Sequence, residues 1–216
     1  MTIAEKLTTI AENVPKVYAA GQQNSGIQYA ARPKGLFWGA VFPEGYEMTL
    51  RMPNIIASQG IYEMFRAAKG ITGLCLQIPT EEAYNARHLL YSCSSIRSLT
   101  LPEGIRFTNF ESFAGNCTAL EEIQGSLDLS GSSNNDNAFL NCYALREVRF
   151  VPGSIRKNID FSKSEQLSTQ TVDSILDGLG NLVGMEAQQL SLPETVKSNL
   201  TQQQYDTLMS KNWTFA

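Results

Sequence analysis

The chain has 216 residues, 43% of them hydrophobic and 18% charged, with a formal charge of −4 and a pI near 5.1. That balance supports a packed core and excludes global disorder. With no Lys/Arg cluster it lacks the footprint that holds a phosphate backbone, so no nucleic-acid partner is expected.

No basic stretch followed by an apolar one opens the chain, so no secretory leader is expected. No apolar run reaches the roughly 18–20 residues that a membrane span needs, so membrane insertion is not expected either. Residues 2–20 read as a helix. Ile3, Leu7, Ile10, Val14 and Val17 are spaced 4, 3, 4 and 3, a heptad seam two repeats long. Such a seam either folds against the rest of the chain or associates with a second copy, and a homo-oligomer through this helix is the sharper expectation. Pro15 must open a second helical turn or kink the first. Residues 21–60, with Gly, Pro and the aromatics Phe37, Trp38, Phe42 and Tyr46, read as a connector or N-terminal cap.

The section 61–167 carries a repeat. Cys93, Cys117 and Cys142 are each followed by an aliphatic residue three on (Ile96, Leu120, Leu145) and six on (Leu99, Ile123, Val148). Ala68 substitutes for Cys in an earlier unit and Ser164 in a later one, so the anchors are 25, 24, 25 and 22 apart. An apolar residue near three before the anchor, with one three after it, fits a short helical turn. Leu99-Thr-Leu101 and Val148-Arg-Phe150 alternate like strands with one buried face. Such a unit buries its apolar face only against neighbours, which predicts stacked copies with a shared core. The small anchors mark where successive copies crowd, and cysteine there is a small hydrophobe. Cys75, between Leu74 and Leu76, falls on the outward side. No CxxC pair is present, so zinc and dithiol chemistry have no basis, and reduced thiols are expected.

Leu101-Pro-Glu-Gly, the Asn/Ser/Gly-rich 128–137 and Val151-Pro-Gly-Ser are turn sequences. In 168–216, Ser168 can cap a helix burying Val172, Ile175, Leu176 and Leu179. Gln189–Leu192 suits one more strand, and a second helix follows Pro193 with Val196, Leu200, Tyr205 and Leu208, before Trp213 and Phe215. The expected fold is thus α/β: a short repeat solenoid with an N-terminal helix (1–20) and a helical C-terminal cap (168–216).

The repeat resembles the BspA-like leucine-rich repeat, over residues of about 62–167. The opening Met1-Thr-Ile-Ala-Glu-Lys-Leu and the stretch from Val148-Arg-Phe-Val-Pro-Gly to Lys211-Asn-Trp-Thr-Phe resemble proteins encoded by phages and prophages of gut Firmicutes. The resemblance implies a leucine-rich-repeat fold and a virion structural protein, tail-associated or of the decoration type. Other virion proteins, and a host surface protein or glycan, would be its partners. A bacterial cell-surface adhesin is the alternative.

No catalytic, cofactor-binding or metal-ligating residue is expected. His88 is the only histidine, a turn or surface residue by its context, and no GxSxG, HExxH or P-loop string occurs. Gly178–Gly184 follows a helix, so it reads as a helix end rather than a phosphate loop. Asp128 and Asp136 lack EF-hand spacing. Strand residues that alternate with the buried positions form the expected binding face, in two columns: Gly73, Ser98, Glu122 and Glu147; and Cys75, Thr100, Gln124 and Arg149. The loops 102–111 and 130–138 are the other candidates for contact.

Overall fold

The runs of alternating apolar residues form parallel strands in the computed structural model, which describes residues 35–53, 55 and 60–216. The expected helix at 1–20, with Ile3, Leu7, Ile10, Val14 and Val17, lies outside the described residues.

The strands are β1 (Val41–Arg51), β2 (Lys69–Gln77), β3 (Ala83–Asn85), β4 (Ser98–Thr100), β5 (Ile105–Asn109), β6 (Glu122–Asp128) and β7 (Glu147–Phe150). They join into one seven-stranded sheet in the order β1-β2-β4-β6-β5-β3, with β7 also on β6. All pairings are parallel. Between strands the chain returns on the far side of the core through tight turns, at circuits of about 24–25 residues.

Each circuit packs as its apolar spacing dictates. The anchors Ala68, Cys93, Cys117, Cys142 and Ser164 are all fully buried. Cys93 Sγ donates to Phe65 O at 2.7 Å, Cys117 Sγ to Leu90 O at 3.0 Å, and Cys142 Sγ to Ala114 O at 3.1 Å. Each acceptor belongs to the preceding circuit, three residues before its anchor. Each of these carbonyls also accepts a backbone N–H within its own circuit, from Ala68, Cys93 and Cys117 respectively, so the thiol adds a second bond that links one circuit to the next. Ser164 Oγ donates in the same sense to Cys142 O at 3.1 Å.

A second ladder holds the return turns. Asn85, Asn109, Asn134 and Asp160 each accept, through the side-chain oxygen, the backbone N–H two residues on, at 2.7–3.0 Å. These Asx turns start successive circuits at one level. Within the turns Glu63, Ala67, His88, Ser92, Ser112, Asn116, Asn137 and Asn141 adopt left-handed φ of 50–64°. That conformation costs an L-residue roughly 1–2 kcal/mol. It is offset by backbone bonds from one circuit to the next, such as Glu63 N to Arg87 O, Ala67 N to Tyr91 O and Asn116 N to Leu140 O.

The leucine-rich-repeat solenoid of BspA-like type is corrected by this topology. The sheet is a curled parallel half-barrel, and only 13% of the described residues are helical. Two residues explain the curl. Pro102 lacks the ladder N–H, and the turn it opens splits one circuit's extended segment into β4 and β5. Gly125, at φ 92°, lies against Leu101 of the preceding circuit, and a Cβ there would strike Leu101 O. It bulges β6, whose first half pairs with β4 and whose last residues pair with β5. One strand thus joins two rows, and the sheet folds over instead of extending as one file of equal strands. The expected loop at 102–111 accordingly contains β5, with Ile105 and Phe107 buried.

The helical C-terminal cap is corrected as well. Strands β8 (Ile159–Asp160), β9 (Gln188–Ser191) and β10 (Trp213–Phe215) form a second parallel sheet in the order β10-β9-β8. Among them run α1 (Thr169–Gly178), α2 (Glu194–Lys197) and α3 (Gln202–Ser210). Ser168 caps α1 by accepting from Thr171 N, and Val172, Ile175, Leu176 and Leu179 are buried. The single helix expected after Pro193 is two, because Thr201 and Gln204 form a capping box that starts a new helix. Gly178–Gly184 ends α1, and Gly180 O accepts from the buried Trp213 Nε1 at 2.9 Å.

Candidate functional site

The alternation that buries Met48, Leu74, Leu99, Ile123 and Val148 leaves their neighbours on the outer face of the sheet. Register places Glu47 beside Gly73, Gly73 beside Ser98, Ser98 beside Glu122 and Glu122 beside Glu147. A second row runs Thr49, Cys75, Thr100 and Gln124. The two columns expected from the sequence are therefore adjacent rows, with two changes. Gly73 is buried, since Glu47 Cγ and Ser98 Oγ close over it. Arg149 pairs with Ser126 rather than Gln124, because the Gly125 bulge shifts the register.

Glu47 and Thr49 extend both rows onto β1, which falls in the 21–60 section read as a connector. The signal was present in the period-two run Tyr46, Met48, Leu50 and Met52, of which the last three are buried.

The side chains of the face hold one another in place. Thr100 Oγ1 donates to Gln124 Oε1 at 3.1 Å, and Gln124 Nε2 donates to Glu122 Oε1 at 3.0 Å. Glu147 Oε2 accepts from Ser168 Oγ at 3.0 Å, which ties the face to the cap of α1. Arg149 meets Glu103 at 3.5 Å and Arg97 meets Glu121 at 3.1 Å, both exposed. Exposed pairs of this kind add about 0–1 kcal/mol each. What they fix is a set of oriented donors and acceptors on a rigid sheet, which suits recognition of a polar partner. The loop at 130–138 lies at a different place, on the return side, where Asn134 and Asp136 start an Asx turn.

Cys75, in the second row, is half-buried and unpaired as a disulfide. Among the described residues no group of three or more His, Cys, Asp or Glu is placed to hold a metal ion. No helix of the described residues is long and apolar enough to cross a membrane.

His88 occupies a left-handed turn position between circuits, as its context suggested. Its Nδ1 lies 3.7 Å from Glu63 Oε1 and its Nε2 4.0 Å from Glu111 Oε1, so both act as nearby charges rather than hydrogen-bond acceptors. Burial pushes its pKa down, Arg87 and Arg66 add to this, and Glu111 and Glu63 oppose it. The fold therefore favours the neutral ring, while the unfolded chain binds a proton near pH 6.5. Stability is complete above that value and declines as pH falls through it toward the lower folded value. Urea midpoints at pH 7.5 and 5.5 should differ less in His88→Asn than in the wild-type chain, since asparagine accepts the left-handed φ.

A scan against protein-family models, a search of curated proteins and a search of solved structures each find no match to this chain, so a virion role gains no support from them.

Proposed function

We propose that this chain is a non-enzymatic structural protein that binds a macromolecular partner through the outer face of its curled sheet. The observation that carries the reading is the pair of polar rows through β1, β2, β4 and β6, cross-linked by the Thr100–Gln124–Glu122 hydrogen bonds. A rigid, regularly spaced polar face costs little ordering entropy on binding, which is what a static assembly contact requires. The resemblance of its opening and closing sequences to phage and prophage proteins supports the virion as its location.

Mass spectrometry of purified particles from cells carrying the encoding prophage tests both parts. The chain should co-purify with particles at a stoichiometric level. A Thr100→Arg, Gln124→Arg double variant that melts like the wild-type chain should be incorporated at least about tenfold less, since a misplaced charge at an interface costs several kcal/mol. Recovery only in the particle-free fraction would remove the virion reading. Equal incorporation of the variant would remove the sheet face as the contact.

A further inference from the structure

A stripe of aromatic and amide side chains crosses the turns that precede the strands, outside the two rows of the proposed contact face. Gly39 N donates to Arg66 O, Ala67 N to Tyr91 O and Ser92 N to Gly115 O, each from one circuit to the next. These bonds set Trp38, Arg66, Tyr91 and Gly115 at one level of successive circuits. The adjacent level continues through Asn116, whose N–H donates to Leu140 O, to Asn141 in the fifth circuit, where Tyr143 also stands. Aromatic rings therefore recur at every second circuit, with Arg66 and Asn116 between them.

The stripe is held in place and yet open. The Arg66 guanidinium lies over the Trp38 ring at 4.8 Å and the Tyr91 ring at 5.4 Å, and Glu63 Oε1 answers its charge at 2.8 Å. Asn141 Nδ2 donates to Asn116 Oδ1 at 2.8 Å, and Tyr143 OH donates to Asn141 Oδ1 at 3.0 Å. Trp38 is nevertheless 54% exposed and Tyr143 51%. Fixed rings that stay open to water, each with a polar edge, are what recognition surfaces use.

We propose that this stripe binds a neutral, extended β-1,4-linked glycan lying across the circuits. Pyranose rings offer apolar C–H faces to aromatic rings and hydroxyls to amide groups. In a β-1,4-linked chain each ring is turned over relative to the last, so like faces recur at every second ring. Circuits stack at roughly 4.8 Å, about the length of one pyranose unit. Trp38, Tyr91 and Tyr143 are thus spaced to meet alternate rings. Arg66, neutralised by Glu63, brings no free charge for phosphates, which disfavours a nucleic acid.

Calorimetric titration of cellohexaose into the full chain is the test. Saturable binding is expected, about three- to tenfold tighter than for cellotriose, which is too short to reach Tyr143 as well; that factor is the worth of one aromatic contact. Trp38→Ala and Tyr143→Ala, both at exposed positions, should melt like the wild-type chain and each weaken binding by the same factor. Tyr205→Ala, at an exposed ring outside the stripe, should bind as the wild-type chain does. No binding up to about 10 mM cellohexaose would overturn the site, since three ring contacts are worth more than that. So would unchanged binding by both stripe variants, or equal loss in Tyr205→Ala. Equal binding of maltohexaose, whose α linkage coils the chain, would overturn the assignment to an extended glycan. Tighter binding of oligothymidylate would make the stripe a base-stacking surface instead.

Discussion

Replacing Phe113 by alanine should lower the unfolding free energy by about 3–5 kcal/mol, a large share of a marginal fold's stability. Phe113 is fully buried, its ring 4.2 Å from that of Phe110 at an interplanar angle of 17°. Phe107 lies 5.9 Å away and Phe139 meets it nearly edge-on at 6.4 Å. Phe139 in turn stacks on Phe161 at 4.9 Å. The rings thus form a column through successive circuits, and truncating its middle leaves a cavity with rigid walls. Phe113→Leu keeps most of the volume and should cost less than about 1.5 kcal/mol. Urea denaturation of the three chains measures the difference. A loss below 1 kcal/mol for the alanine variant would mean that the column does not carry the core.

That column was partly legible. An aromatic before four of the five anchors showed in Phe65, Phe113, Phe139 and Phe161, with Leu90 before Cys93, and small anchors signalled crowding, because only small side chains fit where neighbouring circuits touch. The curl was not legible. It follows from Pro102 and Gly125, residues that read locally as ordinary turn and gap, and whose effect depends on which strand lies alongside. A repeat at constant spacing was therefore taken for a single file of equal strands. The Asx ladder was equally hidden. Asn85, Asn109, Asn134 and Asp160 recur at circuit spacing, but their hydrogen bonds to backbone resemble loop composition until the turns are seen stacked.

The candidate face was legible where alternation is strict, as at Ser98, Thr100, Glu122 and Gln124. It failed at Arg149, since β6 spends two more residues than β7 between the Glu122–Glu147 and Ser126–Arg149 pairs, which changes every partner beyond. It also stopped short of Glu47 and Thr49. Pro43 stands 25 residues before Ala68, so the small anchor that announced the other circuits is missing there.

Cysteine chemistry separates the four thiols by the largest factor. Burial pushes the Cys93 and Cys142 thiols up to about 12, and Cys117, with its two neighbouring cysteines, well above its ordinary value. The thiolate is the reacting species, and at pH 8 a thiol of pKa 12 holds about 10⁻⁴ of it. Each of these sulfurs is also engaged with a carbonyl of the preceding circuit, so reagent must wait for that circuit to open. Cys75 is half-buried on the outer face and needs no opening.

Residue-resolved labelling of the native chain with a maleimide, followed by peptide mass spectrometry, tests the stacked circuits most directly. Cys75 should react at least about 10³-fold faster than the other three, which should become reactive together in urea. Labelling of Cys93, Cys117 or Cys142 alongside Cys75 in the native chain would contradict the buried column on which the face depends.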